Sequence, residues 1–243
     1  QMELKLLRKL NQAHLESRAA DLALDARIRS FETAFGMQRE APEAFDLSGE
    51  TKATLKLYGL ERGATTGFGW QCLVARRLAE RGVRFLELID VGSSSNWDSH
   101  GNMGDHQRLA KAIDQPIAGL LTDLKQRGMF DETLIVWGGE FGRTPMMQNN
   151  VRSKLKAGFI GRDHHPHAFN MWMAGGGIKP GAYGSTDEIG YYIGEKPTSI
   201  RDLQATILHQ LGIDPHRFSV PYQGLNQRLI GVEEANVVSE ILS

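Results

Sequence analysis

Three short apolar runs, each landing on a polar or glycine-rich loop, constrain this chain more than any other feature. They are residues 83–91, 133–137 and 169–174, rich in Val, Ile, Leu, Phe, Trp and Met. A short apolar run bounded by turn signals reads as a buried strand. Between the first two lies His106–Arg127, where Leu109, Ile113, Ile117, Leu120, Leu121 and Leu124 recur at helical spacing before Gly128. That stripe predicts an amphipathic helix with a glycine stop. Strand, helix, strand implies a right-handed crossover and parallel neighbours. The expected fold class is therefore α/β: a mainly parallel sheet built from 83–91, 133–138 and 169–174, with helices on both faces and 106–128 packed on one of them.

A helical section precedes it. Leu4, Leu7, Leu10, Leu15, Leu22, Leu24, Ile28 and Phe31 predict a helix over the first 35 residues, capped near Gly36 and broken at Ala41-Pro42. A short helix starts behind Ser48 and Thr51 and ends near Tyr58-Gly59. Further helices are expected at 67–80, with Cys72 on an apolar face, and at 200–211. The domain reading is a helical lead-in over 1–45 and an α/β domain over 46–243. Gln1 opens inside a helical pattern without an initiator methionine, so a segment ahead of it is expected.

Composition narrows the function classes. Lys and Arg total 28 against 29 Asp and Glu, a net charge of −1, which gives no support for a nucleic-acid partner. A single cysteine excludes an intramolecular disulfide and a thiolate-built metal site. No apolar run approaches the length of a membrane span.

Loops beyond the carboxyl ends of parallel strands are where binding groups gather, and three polar clusters fall there. In Trp97–Asn102, Asp98 and His100 stand two apart, where an extended backbone aims both at one point. They suit Zn-, Mn- or Mg-type ions, or else Asp98 or Asn102 caps the next helix and His100 is a surface residue. In Gly138–Pro145, Glu140 follows a strand among three glycines, and Arg143 has the fork geometry to clamp a tetrahedral oxyanion. The plainer alternative pairs Glu140 with Arg143 across a tight turn. In Gly161–His167, Asp163, His164, His165 and His167 crowd one loop, a compositional hint of metal binding. The ligand candidates are Asp98, His100, Glu140, Asp163, His164 and His167, for divalent ions such as Zn, Mn, Mg or Ca. Arg143 is the candidate for offsetting oxyanion charge. His165 is the candidate proton donor to a leaving group, and His167 is an alternative.

Five segments in order, WDSHGN at 97–102, LIVWGGEFGRTP at 134–145, GRDHHPHAF at 161–169, AGGGIKPGAYGSTDE at 174–188 and DLQATILHQLGID at 202–214, resemble an uncharacterised bacterial family. It is domain of unknown function 1501, a sulfatase-like branch of the alkaline phosphatase superfamily. The resemblance covers roughly 45–243. It implies an α/β sandwich with a two-metal centre at the strand ends, cleaving phosphate or sulfate esters with a Ser, Thr or modified Cys nucleophile. Asp98 and His100 would stand for the family's Asp-x-His pair, and Asp163-His164 would begin its last His-containing motif. Glu140 falls where many relatives carry an Asp-His pair. Relatives begin with a further strand and the nucleophile segment, so the chain looks like a C-terminal part, completed by a missing segment or a partner chain. The resemblance also implies export to the periplasm. The function expected is metal-dependent hydrolysis of a small-molecule or glycan ester. The alternative is a non-catalytic, metal-stabilised module binding sulfated or phosphorylated glycans.

Overall fold

The computed structural model describes residues 2–16, 22–90, 96–148 and 161–243. The chain divides into two compact units, residues 1–56 with 60–88, and residues 57–59 with 89–243.

The first unit is helical. α1 (Met2–Glu16), α2 (Leu22–Phe45), α3 (Lys52–Leu57) and α4 (Phe68–Glu80) follow in order. α2 passes through Gly36 and Pro42, where the sequence suggested a cap and a break. Tertiary contacts override both local signals. Pro42 sits in the last turn, which closes with Asp46 N donating to the Pro42 carbonyl at 3.0 Å. That end of α2 is then held on α4: Ala44 is fully buried, Arg77 Nε donates to its carbonyl at 2.9 Å, and Phe45 stacks on Trp70 at 5.8 Å. Below this contact lies an ion network. Arg76 is 2% exposed and reaches Glu50 at 2.8 Å and Glu80 at 2.7 Å, and Arg77 meets the same Glu50 oxygen. Two guanidinium groups thus share the charge of one buried carboxylate, as buried ions require. Cys72 lies on the buried face of α4, and burial pushes its thiol up to about 12.

The strand expected at 83–91 does not form a ladder among the described residues. Residues 83–90 carry no strand pairing, Phe85 and Ile89 are exposed, and residue 91 lies outside the described residues.

The second unit is organised on α5 (Asp105–Gln126), one residue off the expected helix at its start. Leu109, Ile113, Pro116, Gly119, Asp123 and Leu124 face inward. A Cβ on Gly119 would stand 2.5 Å from the Leu57 carbonyl oxygen, so the helix comes against residues 57–59 only because that side chain is missing. The Tyr58 hydroxyl donates to Asp123 Oδ2 at 2.9 Å and Arg127 Nε donates to Oδ1 at 2.7 Å, satisfying a buried carboxylate on both oxygens. Near the end of the chain, α6 (Ile200–Gln210) begins with a reciprocal cap between Ser199 and Asp202. Its Ala205 and Leu208 pack with Ile230 and Ala235.

The parallel sheet is overturned. β1 (Ile135–Trp137) pairs antiparallel with β4 (Trp172–Ala174), and β2 (Gly142–Arg143) pairs antiparallel with β3 (His164–His165). Two further hairpins, β5 (Ser185–Thr186) with β6 (Ile193–Glu195) and β7 (Ser219–Tyr222) with β8 (Leu225–Arg228), are antiparallel as well. Among the described residues every ladder has two strands, and none is parallel. The crossover rule applies when a helix carries the chain back over a sheet. Here the β2–β3 pair lies between β1 and β4 in sequence, as in a nested hairpin, so the second and third apolar runs meet head to tail. Period and hydrophobicity do not encode strand direction.

Two outcomes follow from this packing. Leu124 is 1% exposed while Leu120 and Leu121 are half-buried. Leu124→Ala is expected to lower unfolding free energy by about 2–5 kcal/mol in urea titrations, and Leu120→Ala or Leu121→Ala by clearly less. The Cys72 thiol should resist a thiol-specific chromophoric reagent at neutral pH and react once the protein is unfolded in urea.

Candidate metal centre

The nested hairpin carries most of the site. Its rungs continue past β2 and β3: Thr144 N donates to the Asp163 carbonyl and Gln148 N to the Gly161 carbonyl, both at 2.9 Å. Arg143 lies directly opposite His164 in this register. Directly opposed residues project to the same face of an antiparallel pair, so a guanidinium and an imidazole emerge side by side. They point at the loop that leads into α5.

That loop is held in place by backbone-directed bonds. Trp97 Nε1 donates to Asp90 Oδ2 at 2.8 Å, and the Trp97 carbonyl accepts from His106 Nε2 at 2.9 Å. Ser99 Oγ donates to the Asn102 carbonyl at 2.6 Å, and Asn102 Oδ1 accepts from Gly104 N at 2.9 Å, turning the chain into the helix. Neither Asp98 nor Asn102 caps α5: Gly104 is its N-cap without a side-chain bond, Asn102 makes the turn just ahead of it, and the Asp98 carboxylate is turned to the site. Gly161 sits against the same loop. A Cβ there would fall 1.5 Å from the His100 carbonyl oxygen, a contact no side chain survives.

Asp98 is the hub. Its Oδ1 accepts from His164 Nε2 at 2.8 Å and from Arg143 Nη2, and His100 Nε2 lies 3.0 Å from the same oxygen. Arg143 is oriented by two backbone carbonyls, Arg162 at 3.1 Å and Trp97 at 3.4 Å. The His164 ring lies 4.9 Å from that of His100 and 5.1 Å from that of Phe141. On its far side, His100 Nδ1 is 2.8 Å from Gln148 Oε1, with Asp163 Oδ1 at 4.0 Å. One carboxylate oxygen and two imidazole nitrogens, from Asp98, His100 and His164, lie within 4.8 Å of one another. This donor set fits a divalent transition ion, and side-chain exposures of 37–51% leave it open to solvent.

The other sequence candidates go elsewhere. Glu140 is exposed at the bend between β1 and β2, outside this cluster, and pairing of Glu140 with Arg143 is not what forms: Arg143 turns to Asp98. Asp163 stands at the rim. His165, next to His164 on β3, points to the opposite face as strand alternation requires. It is 2% exposed, its Nε2 donates to the Tyr191 carbonyl at 2.6 Å, and its ring packs on Tyr191 at 4.5 Å. His167 is exposed and lines a cavity of about 610 Å³ between β4, α6 and the end of the chain. Sequence reasoning missed Gln148 and Asp90. Gln148 lies 48 residues from His100, and only the hairpin register brings the two together.

The surrounding donors hold the Asp98 carboxyl well below the usual carboxylate range, first through the hydrogen bond from His164 and then through that from Arg143, with the charge of Arg143, and that of His100 whenever it is protonated, adding. A carboxyl lowered in the folded state contributes stability above its unfolded value and loses it as pH falls toward the folded one. The stability gap between wild type and Asp98→Asn should be full at neutral pH and narrow below about pH 4, read from urea midpoints. A gap independent of pH would mean that Asp98 does not hold these partners in solution.

Among the described residues no helix is long and apolar enough to cross a membrane. No curated protein and no solved structure matches the chain. One family model does, under the description "Protein of unknown function (DUF1501)", over residues 1–242, so the helical N-terminal section falls inside the match. The chain belongs to the DUF1501 family.

Proposed function

We propose that the Asp98 cluster is the centre of a metal-dependent hydrolase acting on phosphate or sulfate esters. The observation that carries the reading is the convergence of Asp98, His100 and His164 beside the Arg143 guanidinium. The ester class rests on the resemblance of the quoted motifs to sulfatase-like members of the alkaline phosphatase superfamily.

Asp98, His100 and His164 would hold the ion, which when bound polarises the ester oxygen and eases formation of an attacking oxyanion. The chain's own groups supply the rest. Arg143 presents a planar fork already fixed by two backbone carbonyls, suited to a tetrahedral anion with little ordering left to complete on binding. Asp98 stays ionised across the working range because of its donors, so its oxygen does not need to shed a proton before ligating. The imidazoles must be unprotonated to ligate, so metal uptake weakens in acid. Exposure of Glu140 outside the cluster supports a second reading, a non-catalytic metal-bound module for sulfated or phosphorylated glycans.

The test is calorimetric titration of the chain with Zn²⁺ and Mn²⁺, followed by turnover of p-nitrophenyl phosphate and p-nitrophenyl sulfate. Binding with turnover, both lost in His164→Ala and with affinity reduced more than about 100-fold in Asp98→Ala, is the expected result; loss of a ligand should exceed the 10–100-fold effect of an outer partner. Metal binding without turnover selects the glycan-binding module. No metal binding ends both readings.

A further inference from the structure

We propose that Gln148 is the positioning residue that fixes the tautomer of His100, placing its proton on Nδ1 and leaving the Nε2 lone pair directed at Asp98. The inference rests on the metal-centre reading and adds to it the group that makes His100 a ligand.

Donors and lone pairs around Asp98 Oδ1 decide the tautomer. Asp98 Oδ1 accepts from His164 Nε2 and from Arg143 Nη2, and a carboxylate oxygen offers two lone-pair sites. His100 Nε2, 3.0 Å from the same oxygen, would be a third donor on an acceptor that two donors already fill. On the other side of the ring, Gln148 Oε1 is an acceptor at 2.8 Å from Nδ1. A neutral imidazole carries one proton, and the amide oxygen is the better place for it. Nε2 then turns its lone pair toward the Asp98 carboxylate. That juxtaposition is unfavourable in itself and becomes favourable when a cation lies between them, displacing one of the two donors from Oδ1. Histidine ligands of metals commonly donate their second ring nitrogen to an outer acceptor that sets tautomer and orientation.

The fold is built to bring this acceptor in. Gln148 N donates to the Gly161 carbonyl as a rung of the nested hairpin. Gly161 lies against the His100 backbone so closely that no side chain fits. The hairpin thus grips His100 at two places, by Gly161 on the main chain and by Gln148 on the ring. Asp163 Oδ1, at 4.0 Å from Nδ1, reinforces the preference for a proton on that nitrogen.

The experiment uses the metal-free chain with ¹⁵N-labelled histidine in mildly alkaline buffer. Long-range ¹H–¹⁵N spectra report which ring nitrogen carries the proton. Wild type is expected to show His100, assigned through His100→Gln, as the Nδ1–H form, and Gln148→Leu to shift it to Nε2–H. Zn²⁺ titration should then give affinity about 10–100-fold weaker in Gln148→Leu and restored in Gln148→Glu, which keeps an acceptor oxygen. A wild-type His100 in the Nε2–H form overturns the proposal without need of any variant, as does an unchanged tautomer in a folded Gln148→Leu. Metal binding by wild type that Gln148→Leu leaves untouched also overturns it. The expected tautomers with no metal binding in wild type uphold the role of Gln148 and remove the hydrolase reading instead.

Discussion

The opposition of Arg143 and His164 across one antiparallel rung is the constraint on which the site depends. It places a permanent cation and an imidazole on the same face, and both find the same oxygen of Asp98. A slip of one residue would exchange His164 for His165 and turn the site imidazole to the opposite face. The register is defended on both sides. Outward, β1 and β4 keep nearly the same pairing with Trp137 opposite Trp172, and toward the tip Thr144 and Gln148 bond across to Asp163 and Gly161. The Asp98 loop, in turn, is anchored by Asp90, His106 and the turn into α5, so the two halves of the site meet as preformed pieces.

The same physics explains what the sequence did and did not show. α5 was legible because its stripe at helical spacing has one solution, and the structure begins it at Asp105 against an expected His106. Asp98, His100 and His164 were legible as chemistry, since carboxylate and imidazole at short spacing invite a metal reading wherever they fall. Strand direction was not legible. The apolar runs at 133–137 and 169–174 are separated by a stretch long enough either to cross a sheet or to return as a hairpin, and their composition is the same in both cases. Nor could the run at 83–91 announce that Phe85 and Ile89 stay exposed without a ladder. Within the third cluster, three histidines looked equivalent, and only alternation along β3 separates His164 from His165.

Glu140 and Gln148 show the limit from opposite directions. Glu140 had the chemistry and a glycine-flanked position, yet it lies exposed at the bend, because its place is set by the β1–β2 junction and not by the face that carries Arg143. Gln148 had no titratable group to draw notice, yet it meets His100 at 2.8 Å because it occupies a rung of the hairpin. In both, the address in the register decides and the side-chain type does not.

Arg143 carries the last step. Its guanidinium pairs with Asp98, and its two backbone acceptors, the carbonyls of Trp97 and Arg162, come from the Asp98 loop and the hairpin arm respectively. It is therefore a strut between the two preformed pieces as well as a charge. A divalent ion ligated by Asp98 would compete with Arg143 for the same oxygen. The two backbone bonds would keep the guanidinium in place while releasing the part of its donor capacity now spent on Asp98. On the proposed metal reading, a cation on the Asp98 oxygen would therefore turn Arg143 from a partner of that carboxylate into a donor for an anion, because one N–H cannot serve both acceptors.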